Sequence, residues 1–191
     1  SEQVRDTTNS SLTFAPLIAR NFGADYRMIA SSGFGVVRNY AGNSPDLAIP
    51  VLYDRILHDQ PIAELPAQPA ADLIVIRLGS NDFSTPLGED EAWPDKDALR
   101  ADYRDTYVEF VERLQRDQSP AHFLLVTDSL FDDDLKAVQA ELAQRGISHV
   151  SMIEFPELER QGCNYHLSVA DHALVAAQLI DWIGELPAFA N

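Results

Sequence analysis

A chain of 191 residues with 46% hydrophobic side chains is sized for one domain with a sizeable core, and a second domain is not expected. Thirty acidic against fourteen basic residues give a formal charge of -16, which argues against nucleic acid and anionic membranes as partners, since both are held through clusters of Lys and Arg. The single cysteine, Cys163, excludes an internal disulfide and a cysteine-built zinc cage, and no apolar run reaches the roughly 20 residues of a membrane helix.

In chain order, the first eleven residues are polar, and Thr7 to Ser11 supply candidate N-caps for a helix predicted over 12–21. Phe14, Leu17, Ile18 and Phe22 recur there at helical spacing, and Gly23 is placed to end the helix. A short strand is predicted over 26–30, stopping at Ser31-Ser32-Gly33-Phe34-Gly35. A helical turn over 36–40 and a short helix over 51–57 follow, and Pro61, Pro66 and Pro69 mark a connector within the domain. Leu73, Ile74, Val75 and Ile76 are apolar without alternation, the pattern of a strand covered on both faces in a parallel sheet. This is the expected central strand, and it runs into Gly79-Ser80-Asn81-Asp82.

The loop over 84–94 is placed above the carboxyl edge of the sheet, where Trp93 either lines a pocket or packs. The longest helix is predicted over 97–116. Its Leu99, Tyr103, Tyr107, Phe110, Val111 and Leu114 recur every three or four residues, which makes this aromatic stripe core. Residues 122–127 are the next strand, and a helix over 132–145 ends at Gly146. A strand over 148–155 is expected at a sheet edge, and the last helix, over 168–183, has Ser168 as N-cap with Asp171 in the capping-box position. Helices and strands alternate throughout, which specifies a three-layer α/β/α sandwich around a mostly parallel sheet.

Such sheets bind ligands beyond the carboxyl ends of their strands. Gly33 and Asn81 both fall at predicted strand ends, and each offers an N–H to a developing oxyanion, although a plain Gly-rich or Asn/Asp turn accounts for either residue alone. Of the five histidines, His58 sits on a surface helix, His122 and His149 open strands at the amino edge, and His172 lies inside the last helix. His166, in the loop before that helix, is the candidate general base, against the alternative of a loop histidine making one structural hydrogen bond. Ser31, Ser32, Ser80 and Ser84 lie near strand ends, and none occupies a Gly-x-Ser-x-Gly elbow. Metal chemistry is not indicated, because His166 has no ligand-spaced partner.

Gly79-Ser80-Asn81-Asp82 after a buried strand resembles the third sequence block of the SGNH (GDSL-type) hydrolases, and Ser32-Gly33 resembles their second. Asn9-Ser10-Ser11-Leu12, Gly23-Ala24-Asp25-Tyr26, the stretch from Ser32 to Tyr40, that from Leu78 to Ser84, and that from Gly162 to His172 are similar to the bacterial family-two carbohydrate esterases, in the right order. The resemblance implies an SGNH-type, flavodoxin-like fold and a serine esterase that removes acetyl groups from sugars or polysaccharides without metal or organic cofactor, in a secreted or periplasmic setting. It places the catalytic histidine on His166 and the oxyanion donors on Gly33 and Asn81. The aromatic before the histidine, here Tyr165, would line a substrate cleft together with Trp93 and Phe34. Asn164 stands where the family often has Asp, so orientation of the base by a backbone carbonyl is expected instead. The family's Gly-Asp-Ser block, which carries the nucleophile on the first strand, has no counterpart in this chain, which begins with Ser1. The expectation is therefore that these 191 residues are a fragment, and that a strand ending in Gly-Asp-Ser belongs between the strand over 26–30 and the central one. A carbohydrate-binding domain that keeps the fold without the nucleophile is the alternative, and a nucleotide-binding flavodoxin-like protein is disfavoured for want of a Gly-rich phosphate loop.

Overall fold

The computed structural model describes residues 9–55, 69–118 and 120–189. His58, Pro61, Pro66, Thr7, Thr8 and the end of the helix expected over 51–57 lie outside them. The chain forms two compact units, one of Ile29–Glu154 and one of Ser1–Met28 with Phe155–Asn191.

Ile29–Glu154 holds a parallel sheet of three described strands in the order β1 (Leu73–Ile76), β2 (His122–Thr127), β3 (Val150–Glu154). Leu73 pairs with His122 and Ile76 with Leu125, while Phe123 pairs with Val150 and Thr127 with Glu154. In β2, Phe123 and Leu125 face one layer and Leu124 and Val126 the other, and all four are 0% exposed. Burial on both faces is why the run lacks polar alternation. Among the described strands the middle position is held by β2. The far side of β1 has no strand partner among the described residues, and Leu73, Ile74 and Val75 are half-buried.

The residues over 26–30 form no strand. Tyr26, Met28 and Ile29 are 53%, 46% and 38% exposed, so their β propensity finds no sheet face to pack on. Residues 36–40 are likewise not a helical turn: the turn is a 3₁₀ segment at Tyr40–Gly42, and α2 covers Ile49–Leu52.

One face of the sheet is covered by α4 (Lys96–Asp117) and α5 (Asp132–Gln144), which pack on each other. Asp95 Oδ1 caps α4 by accepting from the Ala98 N–H at 2.8 Å. The stripe from Tyr103 to Leu114 is buried with Phe123, Leu125, Phe131, Leu135 and Val138 in one core, each large side chain contributing about 1.5–3 kcal/mol. After α5 the chain turns at Gly146, φ +84°, where Ile147 N–H reaches back to Leu142 O at 2.9 Å.

In the other unit α1 (Phe14–Phe22) packs on α6 (Val169–Gly184). Gly23, φ +61°, ends α1 through bonds from the Gly23 and Ala24 N–H groups to Arg20 O and Ala19 O. The Phe14 ring meets Phe155 edge to face at 6.1 Å and lies 5.9 Å from the ring of His172. Ser168 and Asp171 form a complete capping box at the start of α6, and Asp171 also accepts the Glu159 N–H at 3.1 Å, tying the preceding loop to the helix. Hydrogen bonds from Ser168, the backbone N–H first, hold the Asp171 carboxyl below its usual range. No helix among the described residues is long and apolar enough to cross a membrane.

Candidate active site

At the carboxyl end of β1 the chain turns through Gly79 into α3 (Ser80–Phe83). Gly79 has φ +141°, and a Cβ there would lie 2.6 Å from the Phe131 ring and 2.8 Å from Tyr103 Oη, so only glycine fits. Tyr103 Oη donates to Leu78 O at 2.8 Å and fixes the end of the strand from the helix side. Arg77 spans the same edge, donating to Ser80 Oγ at 2.7 Å and to Asp128 Oδ2 at 2.8 Å beyond β2.

The helix α3 brings two sequence-predicted residues together. Asn81 Nδ2 donates to Phe34 O at 2.8 Å, which seats the carboxamide against the residue next to Gly33. Its second amide hydrogen is not used by that bond. Gly33 has φ +84°, its carbonyl accepts the Tyr40 N–H at 2.7 Å, and among the described residues its own N–H has no partner. The bond thus ties Asn81, at the carboxyl end of β1, to the residue that follows Gly33.

The loop that carries Gly33 and Phe34 is held by side chains the sequence reading gave no role. Asp82 is 0% exposed, and its Oδ1 accepts the N–H groups of Val36, Val37 and Arg38 at 3.0, 2.9 and 3.0 Å. Burial pushes its carboxyl up to about 6, and the same backbone hydrogen bonds pull the other way. Arg38, 2% exposed, donates to Asp82 O, Thr85 O, Thr85 Oγ1 and Pro86 O and forms a fork on Glu91 at 2.5 and 2.8 Å. Asn39 closes the loop by accepting the Gly35 N–H at 3.0 Å and donating to Ser44 O and Leu47 O. A Cβ on Gly35 would meet Arg38 O at 2.3 Å and Asp82 Oδ2 at 2.4 Å, so that glycine is the trace the network leaves in the sequence. Trp93, half-buried, donates its indole N–H to Asp102 Oδ2 at 2.8 Å.

In the other unit, His166 follows the 3₁₀ turn Cys163–Tyr165 and is exposed. Its Nδ1 lies 2.9 Å from Cys163 O. A carbonyl only accepts, so Nδ1 is the donor in this bond, and no carboxylate takes part in it. The turn is closed by Gly162 N–H to His166 O at 3.0 Å, and a Cβ on Gly162 would come within 2.6 Å of that oxygen. Asn164 and Tyr165 both hold positive φ, +54° and +61°. Asn tolerates this conformation, whereas Tyr165 is strained by it and stands 85% exposed.

The remaining described histidines are accounted for locally. His122 Nε2 meets Ser151 Oγ at 3.0 Å and His149 Nε2 meets Gln115 Oε1 at 2.8 Å, both at the amino edge. His172 is half-buried against Phe14, and burial holds its pKa below the usual range. Among the described residues no three His, Cys, Asp or Glu side chains gather as a metal ion would require.

No protein-family model matches the chain. Over 183 residues, 94% of its length, it is 40% identical to an acetylxylan esterase / glucomannan deacetylase of Cellvibrio japonicus. Over 185 residues, 90% of its length, it is 28% identical to the cellulase/esterase CelE of Acetivibrio thermocellus. The chain spans about half of the first of these relatives, 51%, and 21% of the second. Among solved structures it is similar to a carbohydrate esterase whose active site displays divergent catalytic and non-catalytic binding functions, with TM-score 0.94 and 38% identity over 99% of this chain and 59% of that one. A family-two carbohydrate esterase of Clostridium thermocellum in complex with cellohexaose gives TM-score 0.79 and 25% identity over 94% of this chain and 55% of that one. A GDSL-like lipase of Bacteroides ovatus, at 15% identity and TM-score 0.63 over 95% of this chain and 82% of that one, shares the fold.

Proposed function

We propose, for a chain that is a relative of the family-two carbohydrate esterases and carries the SGNH-type α/β fold, that it belongs to a serine esterase removing O-acetyl groups from carbohydrate. The observation that supports this is the bond from Asn81 Nδ2 to Phe34 O, which ties the carboxamide to the residue next to Gly33, and in this reading the two supply the N–H donors for a tetrahedral oxyanion. In the reaction the serine oxygen attacks the acetyl carbonyl, and His166 Nε2 takes its proton while Nδ1 stays on Cys163 O. The imidazolium then protonates the departing sugar oxygen, and water, activated by the same base, releases acetate. A backbone carbonyl orients the base in place of the carboxylate of a triad.

The nucleophile serine lies on a further strand against the outer edge of β1. Among the described residues that edge has no strand partner, and a backbone N–H or C=O group buried there without one would cost on the order of 1–3 kcal/mol; the β1 side chains Leu73, Ile74 and Val75 are half-buried. With that strand the 191 residues form one esterase domain. The substrate is an acetylated polysaccharide of the xylan or glucomannan type, after the relative's name, and a polymer of that kind is met outside the cytoplasm, by a secreted or periplasmic protein.

The test is hydrolysis of nitrophenyl acetate by the full-length gene product. His166→Ala lowers kcat by about three orders of magnitude or more, and full activity in that variant overturns the assignment. A second reading, a carbohydrate-binding domain without turnover, is favoured by one observation: Tyr165 is 85% exposed, and an aromatic ring held out in this way stacks on a sugar with or without a nucleophile. Saturable binding of an oligosaccharide with no release of acetate supports that reading.

A further inference from the structure

The oxyanion donors are only as well placed as the loop that carries them, and this loop is anchored through Asp82. Three successive N–H groups, of Val36, Val37 and Arg38, converge on one carboxylate oxygen, and the Val36 N–H also reaches Oδ2 at 3.1 Å. Such convergence fixes the backbone dihedrals of all three residues at once, and the carboxylate ends up in a pocket whose remaining wall is the missing side chain of Gly35. Asp82 adjoins Asn81 in α3. The one short helix therefore presents the carboxamide donor and grips the loop that presents the backbone donor. From the other side, Arg38 Nη1 returns to Asp82 O at 3.1 Å, and Glu91 holds the guanidinium.

We propose that Asp82 is a positioning residue for the oxyanion hole, setting the distance between the Gly33 N–H and the Asn81 carboxamide by locking residues 36–38. It touches no substrate atom and acts through the loop. The proposal rests on the esterase reading above, and a displacement of one donor by about 1 Å is enough to cost on the order of 10²-fold in rate.

Asp82→Asn tests this in the full-length gene product. The neutral amide accepts more weakly than a carboxylate, and one of its two positions becomes a donor facing the Val36 N–H. We expect kcat, expressed per active site counted by acyl-enzyme burst, to fall about 10²-fold with KM within about threefold. Inhibition by methylboronic acid, whose serine adduct carries a tetrahedral anion, weakens by a similar factor, while the dissociation constant of an oligosaccharide that is not cleaved stays within about twofold. A purely structural Asp82 would lower the number of active sites and leave these per-site quantities alone. Should Asp82→Asn not fold, Glu91→Gln loosens the same loop through Arg38 at a less buried position, with kcat per site down about tenfold and KM unchanged. Per-site kcat within threefold of the parent in whichever variant folds overturns the proposal. If His166→Ala keeps full activity, the esterase reading has failed instead. If His166→Ala is inactive and Asp82→Asn is not impaired, only the positioning role is lost.

Discussion

Replacing Gly79 by alanine adds one methyl group at the bend between β1 and α3, and the structure fixes what that methyl meets. The φ of +141° is a conformation that L side chains rarely adopt, costing on the order of 1–3 kcal/mol. The new Cβ would stand 2.6 and 2.7 Å from carbons of the Phe131 ring and 2.8 Å from Tyr103 Oη. Phe131 and Tyr103 are 1% and 0% exposed, so neither can swing away without disturbing the core around Leu135 and Val138, and overpacking of this kind costs roughly another 1–3 kcal/mol. The sum, about 4 kcal/mol, is a large part of the roughly 5–15 kcal/mol by which domains are stable. For a chain of this length it corresponds to a fall in Tm on the order of 12 °C. Urea unfolding followed by circular dichroism measures it directly. A loss under about 1 kcal/mol would refute the reasoning, since it would mean that the backbone relaxes to an ordinary φ and the Phe131 ring yields at little cost.

Asp82 gives a pH prediction. Its folded-state carboxyl is raised from 3.8 to about 6 by burial, so its contribution favours the fold fully below about pH 4 and is lost as pH rises through about 6. Unfolding free energies at pH 4 and pH 7 should therefore show Asp82→Asn gaining on the parent by about 2 kcal/mol between the two, and a pH-independent difference would contradict the shift. Ser168→Ala removes the oxygen that caps α6 through the Asp171 N–H and should lower stability by about 1 kcal/mol in the same assay. Tyr103→Phe deletes the bond to Leu78 O and leaves that carbonyl without its hydroxyl partner, for a loss of about 1–2 kcal/mol by urea titration.

The elements that were legible in the sequence are those whose cause is local. Residues 122–127 form β2 with the expected bounds, α4 follows its aromatic stripe, and the ends of α1 and α5 fall where Gly23 and Gly146 allow a left-handed residue. The capping box of Ser168 and Asp171 is equally local. What the sequence did not disclose depends on partners distant along the chain. A strand over 26–30 has the composition of one but needs a neighbour to bond. Asp82 and Arg38 carry charges that ordinarily mark a solvated surface, and only their contacts across 44 to 53 positions show them buried and satisfied. Of the residues the sequence singled out, Phe34 and Asn81 are hydrogen-bonded to each other beside Gly33 in the chain, Trp93 is bonded to Asp102, and His166 has its Nδ1 on the Cys163 carbonyl. Gly35 was the one sequence signal for the Asp82 anchor, and its meaning lay in the space that a Cβ would fill.

The central claim is turnover of acetyl esters on carbohydrate through His166. The most direct measurement follows acetate by proton NMR when the full-length gene product is mixed with acetylated xylan or glucomannan, beside its His166→Ala variant and with oligosaccharide binding measured on both. The account predicts acetate release by the parent, release reduced by at least about 10³-fold in the variant, and comparable binding by the two. Acetate release that is absent from the parent, or equal in the variant, would contradict it.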